Sequence, residues 1–124
     1  MIDLPKAPVV RHLSKTVAIP CPYGNTARVI TGGEGGVANV HVITVTDGDP
    51  HFHTGYDEVY YYMEGSGTMT IDNVEYSVEP GSVAVIPRGF VHSIRSNNDN
   101  PLKFVIFGTP AMSTENDDFK PRRP

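Results

Sequence analysis

Apolar and polar side chains alternate with a period of two through most of this chain, in runs too short for helices. From Glu58 to Met63 the order is Glu-Val-Tyr-Tyr-Tyr-Met, which on a strand sends Glu58, Tyr60 and Tyr62 to one face and Val59, Tyr61 and Met63 to the other. Similar runs at 26–31, 37–46, 51–53, 68–71, 75–78, 82–86, 91–96 and 102–107 predict further strands. Turn chemistry separates them: Gly32, Gly33, Gly35 and Gly36; Asp47-Gly48-Asp49-Pro50; Gly65-Ser66-Gly67; Glu79-Pro80-Gly81; Pro87-Arg88-Gly89; and 97–100. Asp72-Asn73 between two strands predicts a tight hairpin. The glycine turn at 32–36 lacks the helix pattern and Lys-Ser/Thr of a phosphate loop. Before residue 24, Pro5, Pro8, Pro20 and Pro22 predict an arm over the outside of the core, with one short strand at 16–19. After Thr109 the apolar pattern fades, leaving a tail with a short helix possible at 114–119.

Many short antiparallel strands with turns between them define an all-β sandwich or barrel. Two strands are apolar on both faces. Val83 and Val85 oppose Ala84 and Ile86, while Leu102, Phe104 and Ile106 oppose Val105 and Phe107. A free-standing barrel needs only its inner face apolar, so either the arm or a second copy of the chain must cover the outside. A homodimer is the expectation.

At 124 residues the chain suits one domain, read as an arm over 1–24, a barrel over 25–108 and a tail over 109–124. A net charge of −4 argues against a nucleic-acid surface. There is no apolar run of about 20 residues to span a membrane, and the first residues lack the basic start and apolar core of a secretion signal. With one cysteine, Cys21, no internal disulfide can form, and a cytoplasmic location is expected. Nothing near Cys21 in sequence would activate it as a nucleophile.

Chemistry concentrates in a few positions. His51 and His53 stand at i and i+2, on one face of a strand. Glu58 follows after Thr54-Gly55-Tyr56-Asp57, enough chain to turn into the next strand and return a carboxylate beside them. His92 follows the Pro87-Arg88-Gly89 corner and begins a strand expected beside the first pair. Three imidazoles and one carboxylate fill four positions of an octahedral divalent ion and leave two neighbouring positions open.

These spacings resemble the two signature motifs of the cupin superfamily. His51-x-His53, four residues, Glu58, six residues and Gly65 resemble the first; Gly81 through Pro87-Arg88-Gly89 to His92 resemble the second. The likeness runs over 37–107 and implies a cupin double-stranded β-helix, a jelly-roll barrel. It implies one divalent transition metal per chain (Fe, Mn, Zn, Ni or Cu) on His51, His53, Glu58 and His92. Two motif positions depart from the family: Val45 stands where a glycine is usual, and Ser96 where an asparagine is usual.

Around such a centre, Tyr60 and Tyr62 would point inward, as catalytic phenols or as core packing. His41 sits where both parities are apolar; the preferred reading turns it outward, to the surface or an interface. Arg28 is either a surface residue or an anchor for an anionic substrate at the barrel mouth. Phe90, Ile94, Phe104 and Ile106 are expected to line an apolar pocket. A small-molecule substrate or ligand is the expected partner. A metalloenzyme of dioxygenase type acting on a small oxygenated substrate is preferred over Lewis-acid isomerase, lyase or cyclase chemistry, and over a ligand-binding sensor.

Overall fold

The computed structural model describes residues 8–21, 24–30, 37–111 and 120–121. Among them a 3-10 turn (Leu13–Lys15) precedes eleven strands: β1 (Ala18–Cys21), β2 (Gly24–Ile30), β3 (Asn39–Val45), β4 (Asp47–Phe52), β5 (Asp57–Glu64), β6 (Gly67–Ile71), β7 (Val74–Val78), β8 (Val83–Ile86), β9 (His92–Ser96), β10 (Leu102–Thr109) and β11 (Lys120–Pro121). They form a six-stranded sheet in the order β1-β2-β3-β10-β5-β8 and a five-stranded sheet in the order β11-β4-β9-β6-β7. Every pairing is antiparallel. The result is the jelly-roll arrangement expected from the strand pattern. The glycine turn at 32–36 and the short helix at 114–119 lie outside the described residues.

The two inner faces close on one apolar core. Tyr60, Tyr62, Ile43, Phe104 and Ile106 from the larger sheet meet Met69 and Ile94 from the smaller one. Alternation is clean along β5, where Glu58, Tyr60 and Tyr62 are buried and Val59, Tyr61 and Met63 are exposed. The β6–β7 hairpin turns on Asp72 and Asn73, with φ of 47° and 69°. Two successive positive φ values make the turn whose twist matches the flanking strands, and short polar residues tolerate them.

Two predicted boundaries move. The arm strand lies at Ala18–Cys21, not 16–19, because its partner along the register is β2, with Ala18 opposite Ala27. The arm thus extends a sheet edge instead of lying across the core, and Val10 and Val17 stay exposed.

The Asp47–Pro50 stretch is not a turn but the start of β4. It pairs with β9, Asp47 opposite Arg95 and Gly48 opposite Ile94, then slips one residue before His51 meets His92. Turn-forming residues are tolerated here because the slip is a β-bulge. Pro50, which has no N–H to give a ladder, falls inside it.

On the outside of the larger sheet, Val59 pairs with Val85 and Phe107, and Tyr61 with Val83. Val83 and Val85, on the edge strand β8, are 60% and 64% exposed. This apolar face is uncovered by the described part of the arm.

Candidate metal centre

The bulge in β4 carries the site's first ligand candidate into the interior. In a regular strand, Gly48 and Pro50 would share a face and His51 would point away. The extra residue restores parity, so Gly48 and His51 are both buried. His53 follows just past the strand end, also buried. His92 opens β9 directly opposite His51. Glu58 enters from the other sheet as the second residue of β5, opposite Ile86.

The corner before His92 is fastened to the start of β5. The Arg88 backbone N–H and Nε donate to Asp57 Oδ1 at 2.9 and 3.1 Å, and Nη2 donates to Oδ2 at 3.2 Å. Those bonds to the Arg88 side chain and backbone hold the Asp57 carboxyl below its usual range. Gly89, at φ +90°, takes a conformation other residues resist, and its N–H donates to the His53 carbonyl at 2.6 Å. One short corner therefore fixes both the backbone at His53 and the approach to His92.

The three histidines each offer a nitrogen within 4.8 Å of the others. Glu58 Oε1 lies 3.4 Å from His53 Nε2 and 3.3 Å from His92 Nε2. His51 Nδ1 lies 3.0 Å from the Asp49 carbonyl, and His92 Nδ1 2.9 Å from the Phe90 carbonyl. A carbonyl only accepts, so in each neutral ring Nδ1 carries the proton and the lone pair sits on Nε2. Hence a carboxylate oxygen and an imidazole lone pair face each other at 3.3 Å, two acceptors with no hydrogen between them. Glu58 Oε1 is buried and has no hydrogen-bond donor among the described residues. A cation between these atoms, a proton or a metal ion, removes the conflict. The donor set suits a divalent first-row ion.

Burial pushes the His51 imidazole down to about 3, helped by the neighbouring His92 and His53 and partly offset by the Asp49 carbonyl. It stands neutral at physiological pH, as a ligand must.

Both candidate phenols are fully buried. Tyr62 donates its hydroxyl to Met69 Sδ at 3.2 Å, and burial pushes its pKa well above that of a free phenol. Tyr60 stacks on Phe104 and meets His92 edge-on, with ring centroids 6.0 Å apart. Of the two, Tyr60 is the one against a candidate ligand.

His41 does not face outward. It pairs with Ile106 and Arg28, sharing their face with Ile43 and Val45. Sequence parity was ambiguous because its neighbours are apolar on both sides; the register decides. Arg28, half-buried, stands in the same row, which continues through Ile106 to Tyr60. Of the expected lining, Ile94, Phe104 and Ile106 are buried, but Phe90 is 40% exposed. It lies in the corner and serves through its carbonyl instead.

Sequence reasoning passed over Tyr56, which sits buried in the segment between the ligand candidates. Its ring stacks on His53 at 4.6 Å and its hydroxyl meets His53 Nδ1 at 2.9 Å. An aromatic residue in an otherwise polar turn was the available signal.

Residues 38–108 match the cupin domain family, and the chain belongs to it. Over 65 residues it is 37% identical to the uncharacterized protein MJ1618 of Methanocaldococcus jannaschii, covering 52% of each chain. The chain thus spans about half the length of that curated relative. Solved structures share the fold at low identity. A protein from Planctomyces limnophilus superposes with TM-score 0.80 at 20% identity, over 92% of this chain and 96% of that one. Ectoine synthase from P. lautus gives 0.75 at 17%, over 93% and 90%. A predicted oxalate decarboxylase from Thermotoga maritima gives 0.70 at 18%, over 81% and 97%. Among the described residues no helix is long and apolar enough to cross a membrane.

Proposed function

We propose that this cupin is a metal-dependent oxidoreductase of dioxygenase type, acting on a small oxygenated substrate. One divalent transition metal would be held by His51, His53, Glu58 and His92. The observation that carries the reading is the convergence of three buried imidazoles, two of them facing a buried carboxylate oxygen that lacks a hydrogen-bond donor among the described residues. When bound, such a metal supplies Lewis acidity and, if redox-active, a means of engaging dioxygen.

The chain's own residues do the rest. The carbonyls of Asp49 and Phe90 lock two imidazoles in the ligating tautomer. Tyr56 orients the third. Phe104, Ile94 and Ile106 keep the surroundings apolar and limit water. Tyr60, edge-on to His92, is the proposed phenol for positioning substrate. A second copy of the chain is the proposed cover for the apolar outer face of β5, β8 and β10, whose exposed side chains form registered pairs.

Elemental analysis of freshly purified protein should find about one transition metal per chain. Anaerobic loading with Fe(II), then addition of α-keto acids, catechols or diketones, should perturb the metal's spectrum; in air, one of them should consume dioxygen in step with product. Full metal content in the His51→Ala, His53→Ala and His92→Ala proteins would remove the proposed ligand set. Turnover without dioxygen would establish the Lewis-acid alternative. Ligand binding with no turnover under any metal would establish a sensor.

A further inference from the structure

Away from the metal centre, the described part of the arm folds past the end of β2. The 3-10 turn is capped by His12, whose Nδ1 accepts the Ser14 backbone N–H at 3.1 Å. A backbone N–H can only donate, so neutral His12 carries its proton on Nε2, as a donor. Between this turn and β2 lies a cavity of about 550 Å³, lined by Arg11, His12, Lys15 and Arg28, with Thr16 and three valines. Three of those residues are cationic, one more can donate through its imidazole, and among the described residues no acidic side chain lines the cavity. Nε of Arg28 is buried, where reduced solvent screening strengthens its interaction with an anion. Guanidinium groups match the planar forks of carboxylate and phosphate.

We propose that this cavity is a second small-molecule site, selective for a compact anion with at least two negative charges, either a polycarboxylate or a phosphate ester. It is separate from the metal centre. Arg28 and Tyr60 occupy the same inner-face row but are three strand spacings apart, roughly 14 Å.

The test is titration calorimetry on full-length protein stripped of metal, with tricarballylate and glycerol 2-phosphate as probes and glycerol as the uncharged control. At least one anion should bind, and the stronger of the two identifies the class. Arg28→Met should abolish binding. Because Arg28 is half-buried, the exposed pair Arg11→Gln/Lys15→Gln gives an independent reading, weakening binding by about tenfold or more, as expected for lost hydrogen bonds to charged groups. Added salt should also weaken it. The proposal is overturned if neither anion binds the metal-free protein. Equal affinity in the Arg11→Gln/Lys15→Gln protein, or equal binding of glycerol, overturns it as well.

Discussion

Replacing Glu58 by glutamine should raise the stability of the metal-free protein and shrink the stabilisation that metal adds. The same oxygen, Oε1, faces both His53 Nε2 and His92 Nε2. An amide nitrogen in its place has two hydrogens for those two ring nitrogens. The His92 bond follows from the tautomer fixed by the Phe90 carbonyl; the His53 bond forms when that ring donates to Tyr56 through Nδ1. At about 1 kcal/mol each, the metal-free variant gains between about 1 and 2 kcal/mol. For a chain of this size that is roughly 4–8 °C in Tm. Metal at about a hundredfold its Kd stabilises the wild type by about 2.7 kcal/mol, or roughly 11 °C. If the lost charge weakens metal binding about tenfold, the same concentration adds about 1.4 kcal/mol, or roughly 6 °C. A hundredfold loss, taken for His92→Ala, would leave roughly 2 °C. Differential scanning calorimetry of chelator-treated and metal-loaded proteins measures all of these. A metal-free Glu58→Gln protein that melts below wild type, with its metal-induced shift undiminished, would refute the facing-acceptor argument.

Tyr60→Phe should lower turnover while leaving metal content intact, whereas Tyr62→Phe, which gives up only a bond to Met69, should change neither; parallel rate and metal assays separate them. Light scattering at micromolar concentration should report a dimer burying well over ~1,000 Å², and Val83→Glu/Val85→Glu should give folded monomers; a wild-type monomer would contradict the paired outer face. Stability of the metal-free protein should fall as pH drops from 6.5 toward 3. Across that range the unfolded chain protonates His51 and the folded chain, with its imidazole at about 3, does not. Above pH 6.5 this group contributes no slope. Urea unfolding of a His51→Gln protein should show a flatter profile over the same range.

The candidate metal centre was largely legible because its spacing is written locally: two histidines one pleat apart, a carboxylate after one turn, a third histidine after another. Alternation likewise placed β10, whose buried Leu102, Phe104 and Ile106 are all apolar, and β5, where Tyr60 and Tyr62 follow Glu58 on the buried face. What escaped was decided by register. His41 could not be faced from its own strand, as Val40 and Val42 are no less apolar than Ile43 and Val45; only pairing with Ile106 settles it. The Asp-Gly-Asp-Pro stretch had turn composition, yet the ladder with β9 outweighed it by absorbing the misfit at a bulge. Tyr56 and the Asp57–Arg88 clamp join segments far apart or in turns, where no period marks them.

That bulge has a consequence for how such a site withstands a change of chain length. His51 faces the interior because the bulge absorbs the one extra residue between Gly48 and His51. Deleting Pro50 would restore an unbroken ladder with His51 two residues after Gly48, so His51 would still face the interior opposite His92, while the apolar core, which this strand scarcely supplies, would stay intact. The loss of a single codon would thus remove the bulge and keep the candidate ligands together. In this chain the bulge cancels the extra residue, so a lineage could shorten the strand there with every candidate ligand still on the inner face.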